Sequence, residues 1–214
     1  MDADEVLKGL ARESVKQGEN LRAGVRELTL NALRGRELTV EQIKRVVRAV
    51  TEGVSLGATT SGVDPDRVLG EAFSGLDEAV LKAVQANHLA LQQLSSQGEG
   101  GSKLQKALDD LERLEDEFLK TVKDATKKGS GQLREQWAKL LQQKEDAGTA
   151  TQVQIEQTLE AFGERMRDAM RQQRRMAVKA GEAMTENFAT LASGILIGLT
   201  EGLQQGKAKP RDKT

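Results

Sequence analysis

Apolar and small residues recur three and four positions apart through most of this chain, which places them on one face of a helix. The stretch after Asp64-Pro65 shows the pattern, with Val68, Leu69, Ala72, Phe73, Leu76, Val80, Ala83, Asn87, Ala90, Leu91 and Leu94. No alternation of period two runs for the length of a strand, and only 2 of the 214 residues are proline. The sequence therefore predicts an all-α protein, an elongated bundle of about five to seven amphipathic helices.

Glycines, caps and small-residue runs divide this pattern into segments. The expected helices cover about 3–33, 39–57, 65–97, 102–128, 132–147 and 152–206. The last would reach about 80 Å if straight, so we expect either a long C-terminal helix or one that breaks near Gly181. Thr39 with Gln42 has the spacing of a capping box, and Asp64-Pro65 is a strong start signal. We expect a single bundle over 1–206, with weak breaks near 58–64, 98–102, 129–131 and 148–149, and a disordered basic tail over 207–214.

The composition excludes most catalytic and metal chemistry. The chain has no cysteine, so it has neither a disulfide nor a thiolate ligand or nucleophile. His88 is the single histidine, which removes multi-histidine metal centres, and Gln85 stands where a di-iron bundle has glutamate. No nucleophile elbow, phosphate-binding loop or dinucleotide fingerprint occurs. We therefore expect a protein that is not an enzyme, with no metal and no cofactor.

The charge and hydropathy describe a soluble protein. There are 32 basic and 33 acidic residues, a formal net charge of −1, and a mean hydropathy of −0.52. The acidic start over 1–5 does not resemble a signal peptide. The apolar, uncharged run between Glu186 and Glu201 is shorter than the ~20 apolar residues that cross a bilayer. We expect no transmembrane segment and a cytoplasmic location.

Glycines four residues apart form the most distinctive pattern of the chain. They are Gly194, Gly198, Gly202 and Gly206, beside Ile195 and Leu199, and the spacing recurs at Gly53 and Gly57. Such a strip lets a second helix backbone approach closely. Three interpretations stay open: ordinary packing within one monomer, a self-association surface, and a frayed C-terminus.

Charge is segregated along the chain although it cancels overall. The acidic run contains Asp109, Asp110, Glu112, Glu115, Asp116 and Glu117; the basic run contains Arg165, Arg167, Arg171, Arg174, Arg175 and Lys179. These runs are expected to be solvated faces that pair with each other, within the monomer or across a dimer. Nucleic-acid binding by the basic run is the alternative, but no aromatic residues are interleaved to stack on bases. We expect the basic run to form ion pairs with the acidic run, and we do not expect it to bind nucleic acid.

Two segments rich in Ala, Leu and Gln carry a resemblance to a known family. They are 84–94, which reads VQANHLALQQL, and 133–141, which reads LREQWAKLL. In composition they look like the helices of bacterial phasins, which coat storage-polyester granules, and the layout also resembles uncharacterised bacterial all-helical proteins of similar length. The resemblance implies a non-enzymatic protein whose partner is an apolar granule surface.

Two functions follow as hypotheses. The first is a non-catalytic helical interaction or scaffold protein that forms a homo-oligomer through helix faces, with the C-terminal glycine strip as the seam. The second is a phasin-like amphipathic protein that coats a hydrophobic granule or lipid surface, because stripes of Leu, Val, Met and Ala could exchange bundle packing for an apolar surface.

Overall fold

The structure is a computed structural model. It describes residues 2–16, 18–34, 36, 38–96, 101–127, 129–173 and 191–200, with the backbone alone at 19, 101–103, 115 and 164–173. The helices are α1 (Ala3–Lys16), α2 (Leu21–Arg34), α3 (Val40–Thr60), α4 (Pro65–Ser96), α5 (Gly101–Thr126), α6 (Gly131–Ala147) and α7 (Ala150–Gln173). Residues 191–200 are also helical, and we call them the C-terminal segment. These residues contain no strand, so the predicted all-α class is confirmed.

The start signals read from the sequence act largely as expected. Thr39 caps α3 by accepting a hydrogen bond from the Gln42 amide at 3.3 Å, and Asp64 accepts from the Asp66 amide at 3.2 Å. The Gln42 side chain does not complete the predicted capping box. Its oxygen accepts a hydrogen bond from Arg36 at 3.3 Å, because that arginine lies next to it in the α2–α3 connection.

The prediction of one helix over 3–33 is wrong. Helix α1 ends at Lys16, a 3-10 turn covers Gly18–Asn20, and α2 begins at Leu21. Gly18 has a φ of 58°, a left-handed conformation that side chains with a Cβ rarely adopt. Val15 and Leu21 on either side are both buried. The apolar spacing therefore continues through the turn, and the sequence pattern does not indicate that a helix ends there.

Other predicted breaks coincide with helix ends. Those near 58–64, 129–131 and 148–149 fall at the α3–α4, α5–α6 and α6–α7 connections. Residues 97–100 lie outside the described part of the chain, as do Gly181, where the long C-terminal helix was expected to bend, and the tail over 207–214. The elongated shape and the single-bundle division remain predictions.

The contacts between helices fix their relative directions. Helices α1, α3 and α5 run parallel, because Asp4 pairs with Arg45 and Lys8 with Glu52, and because Glu41 pairs with Arg113 and Lys44 with Glu117. Helices α2, α4 and α7 are parallel to one another, as the contacts Gly18–Arg67, Arg22–Glu78, Asp77–Thr151 and His88–Thr158 show. They run opposite to α1, because Asp4 near the start of α1 pairs with Arg36 just after the end of α2. The ring centroids of Phe73 on α4 and Phe118 on α5 lie 5.8 Å apart.

One hydrophobic core collects side chains from every helix and from the C-terminal segment. Its largest fully buried members include Trp137, Phe73, Phe162, Leu33, Ile43, Leu76 and Ile155. Helices α3 and α4 lie at its centre: 12 of the 21 residues of α3 and 14 of the 32 of α4 are buried. The other helices pack around this pair.

Candidate functional site

Gly53 and Gly57 lie where α1 packs directly on α3. A Cβ atom at Gly53 would overlap the Lys8 carbonyl oxygen and lie 2.7 Å from the Ala11 Cβ. At Gly57 it would lie 2.7 Å from the Val15 Cβ. These distances are too short for real carbon atoms, so the two backbones approach closely only because the glycines have no side chain. This pair of glycines serves packing within the monomer.

Ion pairs flank this glycine contact. The Lys8 ammonium lies 3.1 Å from Glu52, and this hydrogen bond raises the pKa of Lys8. The Asp4 carboxylate accepts from Arg36 at 2.6 Å and lies 3.4 Å from Arg45. The charged pairs therefore set the register of α1 on α3, while the glycines set the distance.

A third close approach, at Gly75 on α4, was missed by sequence reasoning. A Cβ there would overlap the Arg22 carbonyl oxygen of α2 and lie 3.1 Å from the Val25 Cβ. No glycine stands four residues from Gly75, so a search for paired glycines passes over it. The signal available was a run of small residues at helical spacing, Ala72, Gly75 and Ala79, all of which are buried.

The C-terminal glycines are placed differently. Gly194 and Gly198 are exposed, and a Cβ at either would meet no atom of the described residues within 4 Å. The opposite face of the segment is buried, through Ala192, Leu196 and Thr200. Ile195 and Leu199 are half-buried against the core. The described half of the strip therefore faces open space, and Gly202 and Gly206 lie outside the described residues.

Ser193 fastens the C-terminal segment to the rest of the fold. Its hydroxyl accepts a hydrogen bond from the Leu38 amide at 3.2 Å and donates one to the Arg36 carbonyl oxygen at 3.0 Å. Both partners belong to the α2–α3 connection. The orientation that turns Gly194 outward is therefore fixed by hydrogen bonds as well as by the buried face.

The acidic run of α5 meets α3. Glu117 accepts from Lys44 at 2.9 Å, and this hydrogen bond raises the pKa of Lys44 and lowers that of Glu117. Arg113 lies 3.8 Å from both Glu41 and Asp110. Of the other acidic residues singled out, Asp109 accepts from Gln105 at 2.8 Å, and Asp109, Glu112 and Asp116 are exposed. The sequence did not predict α3 as the partner.

The predicted pairing of the acidic run with the basic run stays a prediction. Helices α5 and α7 do pack against each other. The basic side chains lie outside the description, however: Arg165, Arg167 and Arg171 are described by their backbone alone, and Arg174 and Arg175 not at all.

The described part of the chain holds no cluster of three or more residues that could bind a metal ion.

His88 Nδ1 lies 3.0 Å from the Thr158 hydroxyl, and the ring packs edge-on against Phe162. Trp137 is fully buried and donates from Nε1 to the Ser55 hydroxyl at 3.0 Å. Both residues join helices to each other.

A polar groove of about 560 Å³ lies between α2 and α4. Its two arginines, Arg22 and Arg26, both donate to Glu78, and Glu71 also lines the groove, so two carboxylates balance the two arginine charges. The groove therefore offers little free charge to a ligand.

The comparisons place the chain in a family but give no activity. Among the residues that the structure describes, no helix has the length and apolar character that a membrane crossing requires. No curated protein and no solved structure matches the chain. One family model matches residues 1–205, nearly the whole sequence. The chain therefore belongs to the family of unknown function DUF6781.

Proposed function

We propose that this protein is a non-catalytic, cytoplasmic helical interaction protein that self-associates through the exposed glycine face of its C-terminal segment. One observation carries the proposal: glycines with the same spacing are covered by α1 at Gly53 and Gly57 but face open space at Gly194 and Gly198. The partner is a second copy of the chain.

The energetics of glycine support this assignment. A glycine inside a helix costs about 1 kcal/mol relative to alanine. On α3 the close contact with α1 offsets this cost. At Gly194 and Gly198 no described residue offers an offsetting contact, whereas a helix from a second copy would offer one. The half-buried Ile195 and Leu199 lie near this face, and a second helix packed against it would bury more of their apolar surface.

Light scattering behind gel filtration, over a range of protein concentrations, tests the proposal. The unmodified chain should form a defined oligomer, and Gly198→Leu should shift it towards monomer. Gly9→Leu is the matched control, because Gly9 is also an exposed helical glycine with no atom within 4 Å of a Cβ. A strict monomer at high concentration, or equal effects of the two variants, would reject the seam.

The second candidate function is a phasin-like coat on an apolar granule or lipid surface. It is favoured by Val6 and Leu10, which lie one turn apart on α1 and expose 41% and 51% of their surface. Flotation with hydrophobic particles or lipid vesicles tests it, with Val6→Gln/Leu10→Gln as the variant. Flotation that this variant abolishes would favour the coat. Retention of the unmodified chain in the aqueous phase as a defined oligomer would favour self-association.

A further inference from the structure

The helices are anchored to the core to very different extents. Helices α3 and α4 bury 12 and 14 residues, whereas α6 buries only Leu133, Trp137 and Leu141 among its 17. In α7, as far as its side chains are described, the buried residues are Thr151, Ile155, Thr158 and Phe162. The outer layer of residues 131–163 therefore has a thin apolar attachment.

Polar contacts add to the attachment of α7 to α4. The Asp77 carboxylate accepts from the backbone amides of Ala150 and Thr151 at 2.9 and 3.0 Å. The Thr151 hydroxyl donates to the Asp77 carbonyl oxygen at 3.1 Å. A residue of α4 thus caps the start of α7, although 73 positions separate Asp77 from Ala150. Water can take over such hydrogen bonds when two helices separate, so their net contribution is modest.

Other contacts of this layer are polar as well. His88 on α4 meets the Thr158 hydroxyl, and the Trp137 indole donates to Ser55 on α3. The side-chain oxygen of Gln136 is buried with no hydrogen-bond partner among the described residues. Exposure to water would satisfy this oxygen, which lowers the cost of separating α6 from the bundle.

The contact between α1 and α3 behaves differently. Its backbones touch at Gly53 and Gly57, and the gain comes from many short van der Waals contacts. Water replaces these contacts only in part when the helices separate, because the protein interior is more densely packed than water. The α1–α3 contact thus adds close backbone packing to its ion pairs, whereas α6 and α7 combine a few large buried side chains, Trp137, Ile155 and Phe162, with hydrogen bonds that water can take over.

The connection to α5 permits movement of the layer. α5 ends at Thr126 and α6 begins at Gly131, which is exposed and has no atom within 4 Å of a Cβ position. We propose that residues 131–163 form a layer that detaches as one unit from an intact bundle of α1–α5. This is a conformational step of the monomer and does not depend on self-association.

Native-state hydrogen exchange of the full chain, at a concentration where it is monomeric, tests the proposal. The amides of 131–163 should exchange together, at least about tenfold faster than the slowest amides of α3 and α4. Their exchange should depend on urea with a slope smaller than that of global unfolding. Exchange of all helices at one common rate and slope would overturn the proposal.

A matched pair of variants tests the role of Asp77. Asp77→Ala removes the cap that α4 provides for α7 and should speed exchange of 131–163 by about two- to thirtyfold, the usual effect of losing a cap. Asp64→Ala removes a carboxylate that caps its own helix through the Asp66 amide. It should not accelerate 131–163 selectively. Equal acceleration of every helix by Asp77→Ala would contradict detachment as a unit.

A covalent link gives a result even if Asp77→Ala fails to fold. The chain has no cysteine, so His88→Cys with Thr158→Cys, whose side chains are in contact across α4 and α7, creates a single pair that can be cross-linked while Asp77 is kept. Cross-linking should slow exchange of 131–163 towards the rate of α4. Unchanged exchange after cross-linking would also overturn the proposal.

Discussion

At Gly53 and at Gly198 a single added methyl group should have opposite effects on stability. Gly53→Ala gains about 1 kcal/mol of helix propensity, but its Cβ meets the Lys8 backbone, which cannot move aside. Overpacking costs about 1–3 kcal/mol or more. Because the overlap is with backbone, we take the upper overpacking cost less the propensity gain and expect a net loss of about 2 kcal/mol for Gly53→Ala, against a gain of up to about 1 kcal/mol for Gly198→Ala. Urea unfolding at low protein concentration measures both.

These two variants also separate packing within the monomer from packing between copies. If Gly198 lies in a seam, Gly198→Ala should weaken self-association at high concentration even though it stabilises the monomer. A Gly53→Ala protein as stable as the parent would show that α1 does not rest on α3 as described.

Removing the Ser55 hydroxyl should destabilise the fold through Trp137. Ser55 accepts the indole hydrogen bond at 3.0 Å, and the indole is fully buried. Leaving a buried donor without a partner costs about 1–3 kcal/mol. We expect Ser55→Ala to lower the free energy of separating α6 from α3 by that amount, measured by urea unfolding followed by the fluorescence of Trp137.

Ser74→Ala is the matched control for Ser55→Ala. Both hydroxyls donate to the carbonyl oxygen four residues earlier, at 2.9 Å for Ser74 and 2.8 Å for Ser55, but Ser74 lines the groove between α2 and α4 and not the indole. A loss of stability as large in Ser74→Ala would assign the effect to the helix and not to Trp137.

Between elements, the Lys44–Glu117 pair couples α3 to α5 in a pH-dependent way. The hydrogen bond between them lowers the pKa of Glu117 from its ordinary 4.5 and raises that of Lys44 from 10.5. A lowered carboxyl pKa stabilises the fold above pH 4.5, and this stabilisation is lost as the pH falls through the folded value. A raised lysine pKa stabilises below pH 10.5, and this stabilisation is lost as the pH rises through the folded value.

The parent should therefore be more stable than Glu117→Gln at neutral pH, with the difference vanishing at both extremes. Thermal unfolding from acid to alkaline pH measures it, with Glu112→Gln as a control at an exposed position of the same helix. The pair is partly exposed, so the difference should also shrink in high salt. A difference that persists below the folded pKa of Glu117 would assign the effect to packing.

The helices could be predicted from the sequence because their causes are local. The apolar spacing of α4, the Thr39 cap and the breaks at Gly129 and Gly148 all lie within a few residues of what they determine. The turn at Gly18 was missed for a local reason too, because a glycine in a helical pattern does not show whether its φ is positive.

The partners of each element could not be predicted, because they depend on residues far apart in the chain. Thr149 was available as a local cap for α7, but nothing near it indicated Asp77. The glycine spacing on α3 is the same as that in the C-terminal segment, and only the fold shows that one is covered and the other open. Spacing predicts the capacity for close approach and leaves the neighbour undetermined.

For the molecule as a whole, a detachable layer predicts that unfolding does not occur in one step. Trp137 is the single tryptophan and lies on α6, so its fluorescence follows the outer layer, whereas circular dichroism follows all the helices. The fluorescence midpoint in urea should fall below the dichroism midpoint, because the layer separates before the α1–α5 bundle unfolds. Asp77→Ala should widen the gap between the two midpoints, and Asp64→Ala should not. Superimposable curves for the parent chain would show that the outer helices and the inner bundle unfold as one cooperative unit.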